Sequence, residues 1–156
     1  MADEIERKFL VPETPRLDTV EPGDGLRQGY LAVDGPVEVR LRFGQAAPRL
    51  TVKAGAGLHR TEVEVSLTDA DADALWPHTD GRRIEKVRHR TALGDDLVAE
   101  VDLYGGDLEG LCTVEVEFPD RAAADAFVAP AWFGTELTGQ SGWSNAALAR
   151  HGRPSP

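Results

Sequence analysis

The sequence predicts a mainly β (α+β) protein, folded as an eight-stranded antiparallel β tunnel or barrel with a charged interior. Eight segments alternate apolar and polar side chains with the period of two that a strand requires. Six of them carry like-charged side chains at positions i and i+2 of the polar face: Glu4/Glu6, Arg40/Arg42, Glu62/Glu64, Lys86/Arg88, Glu100/Asp102 and Glu115/Glu117. A β-sandwich with solvated charged faces is the alternative. Closing the strands into a barrel instead turns every charged face onto one cavity.

Length, charge and cysteine content limit the class of protein. The 156 residues suit a single domain, which we place over residues 1–156. The 17 basic and 27 acidic residues give a formal net charge of -10, which opposes binding to nucleic acid or an anionic membrane. The single cysteine, Cys112, excludes an internal disulfide, and no signal-peptide pattern opens the chain. We therefore expect a cytoplasmic protein.

The first strand is predicted over Glu4–Val11, where Glu4, Glu6 and Lys8 share one face. Pro12–Asp24 is rich in Pro, Glu and Asp and predicts a loop with one helical turn. The other seven strands are predicted at Gln28–Val33, Val37–Phe43, Leu50–Lys53, Arg60–Val65, Arg82–Thr91, Leu97–Leu103 and Cys112–Phe118. We expect the first five strands to form a β-meander.

Turn and helix signals separate these strands. Asp34-Gly35-Pro36 is a turn signal between the second and third strands. The period of two breaks at Ser66–Trp76, where Thr68 and the acidic residues after it predict a helix of about two turns. Further helices are predicted over Pro119–Val128 and Ser144–Arg150.

The like-charged pairs indicate a site for both cations and a polyanion. Residues i and i+2 lie roughly 7 Å apart, so an unneutralised pair costs about 2 kcal/mol at an effective dielectric of about 20. Four pairs are acidic, two are basic, and the signs segregate by strand. Because Mg²⁺ prefers carboxylate, water and phosphate oxygens, the acids are candidate metal ligands. The candidates for Mg²⁺ or Mn²⁺ are Glu4, Glu6, Asp102, Glu115 and Glu117.

Basic residues on the polar faces are candidates for binding phosphate. Arginine offers planar bidentate contacts to a phosphate group, and lysine offers a compact point charge. The candidates are Lys8, Arg40, Arg42, Lys53, Lys86 and Arg88. All three lysines of the chain belong to this set.

The order and spacing of these motifs resemble the CYTH superfamily, the triphosphate tunnel metalloenzymes, and in particular a short bacterial CYTH domain protein. The resemblance covers Glu4-x-Glu6-x-Lys8, Gln28-Gly29-Tyr30-Leu31, Arg40-x-Arg42, Lys53, Arg60-x-Glu62-x-Glu64, Lys86-x-Arg88, Glu100-x-Asp102 and Glu115-x-Glu117. It implies an eight-stranded antiparallel tunnel, a divalent metal and triphosphate-containing substrates. The tail, Glu136–Gly139 and Ser144–Ala149, is similar to the family's closing segment, whose helix plugs one side of the tunnel.

The predicted function is metal-dependent hydrolysis of inorganic triphosphate, or tripolyphosphate. A water oriented by a tunnel carboxylate would attack the terminal phosphorus in line, helped by neutralisation of charge. The candidate carboxylates are Glu62, Glu64, Glu100 and Asp102, which the sequence does not rank. Tyr30 faces inward and could position a water or a terminal phosphate, or simply pack.

Other activities remain open at this point. The resemblance also includes a class IV-type adenylate cyclase and a thiamine triphosphatase, and the same charges would serve a non-catalytic module that binds polyphosphate or nucleotide. We expect a triphosphate-containing small molecule as the partner of a monomer or homodimer. His59 and His89 are expected at the surface, and Trp76, Trp132 and Trp143 are expected to pack helices on the barrel.

Overall fold

The chain forms a closed barrel of eight antiparallel strands, which confirms the predicted fold class. The computed structural model describes residues 2–13 and 22–155. The strands are β1 (Ala2–Leu10), β2 (Asp24–Asp34), β3 (Val37–Phe43), β4 (Arg49–Ala54), β5 (His59–Ser66), β6 (Arg83–Gly94), β7 (Leu97–Tyr104) and β8 (Cys112–Glu117). Their order around the barrel is β1-β5-β4-β3-β2-β6-β7-β8.

The position of β1 corrects the predicted meander. β2 to β5 do follow one another around the barrel, but β1 lies between β5 and β8, with Glu4 opposite Arg60 and Lys8 opposite Glu115. β1 closes the barrel because it pairs with β5 on one side and with β8 on the other. Of the loop predicted over Pro12–Asp24, residues 14–21 lie outside the described part of the chain, and β2 already begins at Asp24.

Three short α-helices accompany the barrel: α1 (Asp69–Leu75), α2 (Arg121–Ala126) and α3 (Asn145–His151). Their N-cap side chains, Thr68, Asp120 and Ser144, each accept a backbone N–H of the first turn. The helix predicted over Pro119–Val128 was too long at both ends, because Asp120 is the cap and Phe127 is extended. Three 3₁₀ turns, at Trp76–Thr79, Gly106–Leu108 and Ser141–Trp143, were not predicted. None of the helices described is long and apolar enough to cross a membrane.

The main hydrophobic core lies outside the barrel wall. The outward side chains of β1, β7 and β8 are packed beneath α2 and the chain that follows it. The buried members are Phe9, Val11, Ala99, Val101, Cys112, Val114, Val116, Phe118, Ala124 and Phe133. Arg7 ties this layer together, since its guanidinium donates to both Glu136 carboxylate oxygens at 2.8 Å and to the Ala124 carbonyl at 2.9 Å.

A second apolar cluster closes one end of the barrel from within. Leu148 of α3 packs against Ile84, Tyr104, Leu108 and Leu111. Ile84 and Tyr104 stand on the inward faces of β6 and β7, in line with the charged residues of those strands. α3 therefore acts as a plug helix, as the family resemblance implied.

Candidate functional site

A cavity of about 680 Å³ occupies the barrel and receives side chains from all eight strands. It brings together thirteen of the predicted site residues: Glu4, Glu6, Lys8, Tyr30, Arg40, Arg42, Lys53, Glu62, Glu64, Arg88, Glu100, Glu115 and Glu117. Each stands on the inward face that strand alternation predicted. The other two predicted residues, Lys86 and Asp102, do not line the cavity.

The order of the strands places most acidic and most basic side chains of the cavity on different walls. β5, β1 and β8 are neighbours and form an acidic wall, which we define as Glu4, Glu6, Glu62, Glu115 and Glu117. β3 and β6 flank β2 and form a basic wall, defined as Arg40, Arg42 and Arg88. Separated charge of this kind suits a ligand that is itself a polyanion carrying cations.

Two carboxylates of the acidic wall face each other, and no basic group of the described chain lies within 4.0 Å of either. Glu6 and Glu117 are direct cross-strand neighbours on β1 and β8. Within the described chain neither carboxylate makes a hydrogen bond or an ion pair within 4.0 Å. Burial, then Glu115, raises the pKa of Glu6, while burial, then Glu100, raises the pKa of Glu117. Like charges placed opposite each other are destabilising, so a bound cation would stabilise the charged form of this pair.

Lys53 joins the remaining acids of β1 and β5. Its Nζ lies 2.9 Å from Glu4 Oε2 and 3.0 Å from Glu62 Oε2. Burial, then Glu6, raises the pKa of Glu4 to about 8, with Lys53 only partly opposing them. Burial would also raise the pKa of Glu62, but Lys53 and the hydrogen bond with Glu4 outweigh it and lower that pKa to about 2. The two carboxyls share one lysine, so the protonation of one affects that of the other.

The donor set of the acidic wall fits a hard divalent cation. Among residues 2–13 and 22–155, no three Asp, Glu, His or Cys side chains converge as a ready-made metal cluster. Mg²⁺ does not need one, because it is usually held by one or two carboxylates and completes its shell with water and phosphate oxygens. The unpaired carboxylates of Glu6 and Glu117 meet that requirement.

Two arginines of the basic wall, Arg40 and Arg42, have no carboxylate within 4.0 Å in the described part of the chain, whereas Arg88 is ion-paired with Asp102, Glu100 and Glu115. Arg40 is 4% exposed, its Nε has no hydrogen-bond partner, and no described carboxylate lies within 4.0 Å of its guanidinium. Arg42 likewise lacks an ion pair in the part of the chain described, and its Nε donates to Gln28 Oε1 at 3.1 Å. Burial, then Arg40 and Arg88, lowers the pKa of Arg42 to about 10. These two arginines form an uncompensated anion site.

Asp102 supports the basic wall from behind, which differs from the metal and catalytic roles predicted for it. It is fully buried and accepts hydrogen bonds from Lys86 Nζ at 2.6 Å and from Arg88 Nε and Nη2 at 2.7 and 2.8 Å. Burial alone would raise its pKa, but Lys86 and Arg88 hold it well below the usual range. Burial lowers the pKa of Lys86 to about 7 despite Asp102. Of these three, Arg88 is the one that reaches the cavity.

Several cavity residues were missed by the sequence analysis. Glu38, Arg49, Arg60 and Arg90 share inward faces with predicted residues, so the same alternation could have identified them. Arg60 Nη2 lies 3.3 Å from Glu38 Oε2, and Arg49 Nη1 lies 2.8 Å from Glu64 Oε2. Asn145 also lines the cavity but comes from the plug segment, where no strand period points to it.

The aromatic residues divide into cavity and packing positions. Tyr30 lines the cavity, and its buried hydroxyl has no hydrogen-bond partner within the described chain. Tyr104 is a second inward aromatic, missed because its strand was ended at Leu103. Trp76 packs on Phe43 with ring centroids 5.3 Å apart, as expected, whereas Trp143 lines the cavity. The exposed His59 pairs with Asp3 at the surface, as predicted.

The raised carboxyl pKa values predict an unusual pH dependence for the metal-free protein. Between about pH 4.5 and 7 the folded chain keeps a proton on Glu4 that the unfolded chain releases, so the free energy of unfolding should fall as pH rises. The raised pKa values of Glu6 and Glu117 act in the same direction. Above about pH 7 the lowered pKa of Lys86 acts in the opposite direction, because the folded chain then releases a proton that the unfolded chain keeps. Denaturant titrations in EDTA between about pH 5 and 7 would measure this slope.

Glu4→Gln should reduce that slope, while the exposed Glu109→Gln serves as a matched control and should leave it unchanged. The usual behaviour of a paired carboxylate is the reverse, with stability rising over the same range. A wild-type protein that gains stability from about pH 5 to 7 without metal would contradict the prediction.

Comparison with known proteins agrees with this geometry. The chain is 43% identical over 147 residues to an inorganic triphosphatase of Nitrosomonas europaea, covering 94% of this chain and 96% of the relative. It is 33% identical over 153 residues to an inorganic triphosphatase of Acetivibrio thermocellus, with 97% and 96% covered. No family model matches the chain.

Solved structures show the same relationship. A crystal structure of an inorganic triphosphatase superposes with a TM-score of 0.71 at 39% identity, covering 99% of both chains. The structure of HpAC1 from Hippeastrum, at 16% identity and a TM-score of 0.63 over 100% and 98% of the two chains, shares the fold alone. The level of identity, its span and the shared barrel place this chain in the family of the inorganic triphosphatases.

Proposed function

We propose that the barrel hydrolyses inorganic triphosphate with the help of a divalent metal, as the CYTH resemblance implies. The observation that carries this proposal is that arginines and carboxylates without close partners line the same cavity on different walls. Within the described part of the chain, Arg40 and Arg42 on one wall have no carboxylate within 4.0 Å, and Glu6 and Glu117 on the other have no basic group within 4.0 Å. A metal-bound polyphosphate supplies both missing charges. The activity named for the relatives supports the same conclusion.

In this proposal the basic wall holds the phosphate chain. Arg40 and Arg42 offer bidentate contacts, and Lys8 and Lys53 add point charges from β1 and β4. Arg88 adds positive charge while its guanidinium stays paired with Asp102, Glu100 and Glu115. Lys86 acts indirectly, since it and Asp102 fix Arg88. Glu6 and Glu117, with Glu4 and Glu115 beside them, would hold Mg²⁺ or Mn²⁺, which when bound neutralises charge on the phosphate oxygens.

The structure narrows the choice of carboxylate that orients the attacking water. Asp102 is saturated by Lys86 and Arg88, and Glu64 accepts from Arg49 and from Thr51 Oγ1. Glu62 and Glu100 are ion-paired through their Oε2 atoms, Glu62 with Lys53 and Glu100 with Arg88 and Arg90, which leaves the Oε1 atom of each outside these ion pairs. These two are our candidates for accepting the water proton, with Tyr30 and its unpartnered hydroxyl placed to contact the water or the terminal phosphate.

One assay tests hydrolysis against simple binding. Phosphate release from triphosphate is measured with Mg²⁺, with Mn²⁺ and with EDTA, alongside calorimetric binding of triphosphate. Metal-dependent release supports the proposal. Binding without release under every metal condition would assign the cavity to a non-catalytic module that binds polyphosphate or nucleotide.

The cavity lining predicts a preference for inorganic triphosphate over ATP and thiamine triphosphate. An organic ring needs an apolar or aromatic surface on which to stack, and this lining is charged on nearly every strand. Tyr30 and Trp143 are its aromatic members. We expect kcat/KM for inorganic triphosphate to exceed both other values at least about tenfold, the effect of about 1.4 kcal/mol of lost contact.

Comparing kcat/KM for the three substrates at one metal concentration decides the matter. An equal or higher value for ATP or thiamine triphosphate, with Trp143 as the stacking surface, would overturn the inorganic assignment. Formation of cyclic AMP from ATP would instead indicate adenylate cyclase activity.

The cellular setting is also a proposal. We infer a cytoplasmic protein because Cys112, the one cysteine of the chain, is a buried free thiol with its pKa raised to about 11 by burial, then by Asp102. Such a thiol is inert and needs no oxidising compartment.

A further inference from the structure

The plug segment, residues 136–151, contributes several residues to the lining of the cavity, and one of them has an unused amide donor. Asn145, the first residue of α3, lines the cavity next to Lys8 of β1. Resting on the proposed function, we propose that Asn145 is a substrate-contacting residue. Its Oδ1 atom holds Lys8, and its Nδ2 atom donates a hydrogen bond to a phosphate oxygen of the bound chain.

The contact with Lys8 fixes the orientation of the amide. Lys8 Nζ lies 3.5 Å from Asn145 Oδ1 and 2.8 Å from the Trp143 carbonyl, and it pairs with Glu115 Oε1 at 3.7 Å. An ammonium group can only donate, so the amide atom that faces it must be the oxygen. The same ammonium that we assign to phosphate binding is therefore held in place by the plug segment.

A second hydrogen bond anchors the amide from behind. Tyr104 Oη donates to Asn145 Oδ1 at 2.7 Å, and Thr113 Oγ1 lies 3.5 Å from Tyr104 Oη. Tyr104 is buried in the apolar cluster that also contains Leu148 of α3. Because Asn145 is held by a rigid neighbour on its inner side, its position in the cavity is defined before any ligand binds.

These two bonds occupy the carbonyl oxygen and leave the amide nitrogen free. In the part of the chain that the structure describes, Asn145 Nδ2 has no hydrogen-bond acceptor. The side chain nevertheless lines a cavity whose expected ligand consists almost entirely of acceptor oxygens. A neutral donor is useful beside Glu115 and Lys8, since it binds phosphate without attracting a further carboxylate.

Asn145→Asp separates this role from a structural one. Aspartate keeps the shape and still accepts from Lys8 and Tyr104, and an acid suits the first turn of a helix, so the melting temperature should not fall. The substitution replaces the donor by a negative charge. We expect KM for triphosphate to rise at least about tenfold, because a hydrogen bond to a charged group is lost and repulsion is added. The value of kcat should change much less.

Three further variants make the test decisive. Ala122→Asp adds the same charge on the exposed face of α2 and should leave KM unchanged. Tyr104→Phe removes the anchor but keeps the donor, so its effect on KM should be smaller than that of Asn145→Asp. Asn145→Ala removes the donor without adding charge, and its KM should also rise. Tyr104→Phe matching Asn145→Asp would trace the effect to helix position and overturn the direct contact.

The outcomes distinguish this inference from the proposed function. A wild-type protein that hydrolyses triphosphate while Asn145→Asp keeps its KM refutes the inference alone. If the aspartate variant does not fold, an unchanged KM in Asn145→Ala refutes it equally. A wild-type protein that neither binds nor hydrolyses triphosphate refutes both proposals.

Discussion

Replacing Glu6 with glutamine should raise the metal concentration needed for half-maximal activity by about 100-fold or more. Changes in groups that only support a metal ligand already cost about 10- to 100-fold. Glu6 is an unpaired, buried carboxylate directly opposite Glu117, so Glu117→Gln should act in the same direction. Arg40→Ala should instead chiefly raise KM for the substrate, since its partner is the anion. Metal titrations of activity at saturating triphosphate would measure the difference.

The stability of the same variants provides a second test. Removing one of two facing, unneutralised carboxylates should leave the metal-free protein at least as stable as wild type at neutral pH, because function here opposes stability. Glu109→Gln, on an exposed turn, removes one charge elsewhere and should alter neither property. Wild-type metal dependence in both Glu6→Gln and Glu117→Gln would exclude these residues from the metal site.

Replacing Asp102 with asparagine should cost about 3–5 kcal/mol of folding free energy. This is the usual cost of removing one partner from a buried ion pair, because the remaining charges stay buried without compensation. Lys86 and Arg88 would lose the carboxylate that both contact within 2.8 Å. Denaturant unfolding of the metal-free protein would measure the loss directly.

An exposed aspartate provides the matched control. Asp125 pairs with Arg121 on the surface of α2, at 3.1 Å, and Asp125→Asn should cost no more than about 0.5 kcal/mol. If Asp102→Asn proves equally mild while abolishing metal activation, then Asp102 belongs to the metal site after all. In that case the ion pair with Lys86 and Arg88 would not be its main role.

Alternation along the strands was enough to predict the barrel and most of its lining. Strand geometry allows only two faces, so a run such as Glu115, Val116 and Glu117 leaves little choice about which side chains point inward. Alternation does not indicate how deeply an inward-facing side chain is buried. Glu100 and Asp102 are equivalent by that rule, yet Asp102 lies opposite Arg88 and is fully buried, whereas Glu100 lines the cavity.

Long-range pairing explains what the sequence could not predict. Nothing local in β1 indicates that it lies beside β8, so the facing of Glu6 and Glu117 emerges only in the closed barrel. The contact between Asn145 and Lys8 is a similar case. Asn145 stands in a helix of seven residues with no amphipathic period pointing at the cavity, and it meets Lys8 across 137 positions of chain.

The placement of the main core outside the barrel wall has an evolutionary consequence. Adjacent residues of one strand have different surroundings, since Val114 and Val116 pack in the outer layer while Glu115 between them lines the cavity. Apart from the group around Asp102, replacing a side chain that lines the cavity leaves the apolar layer outside the barrel wall intact. Selection for a new anion and selection for a foldable chain can therefore proceed on opposite faces of the same strands.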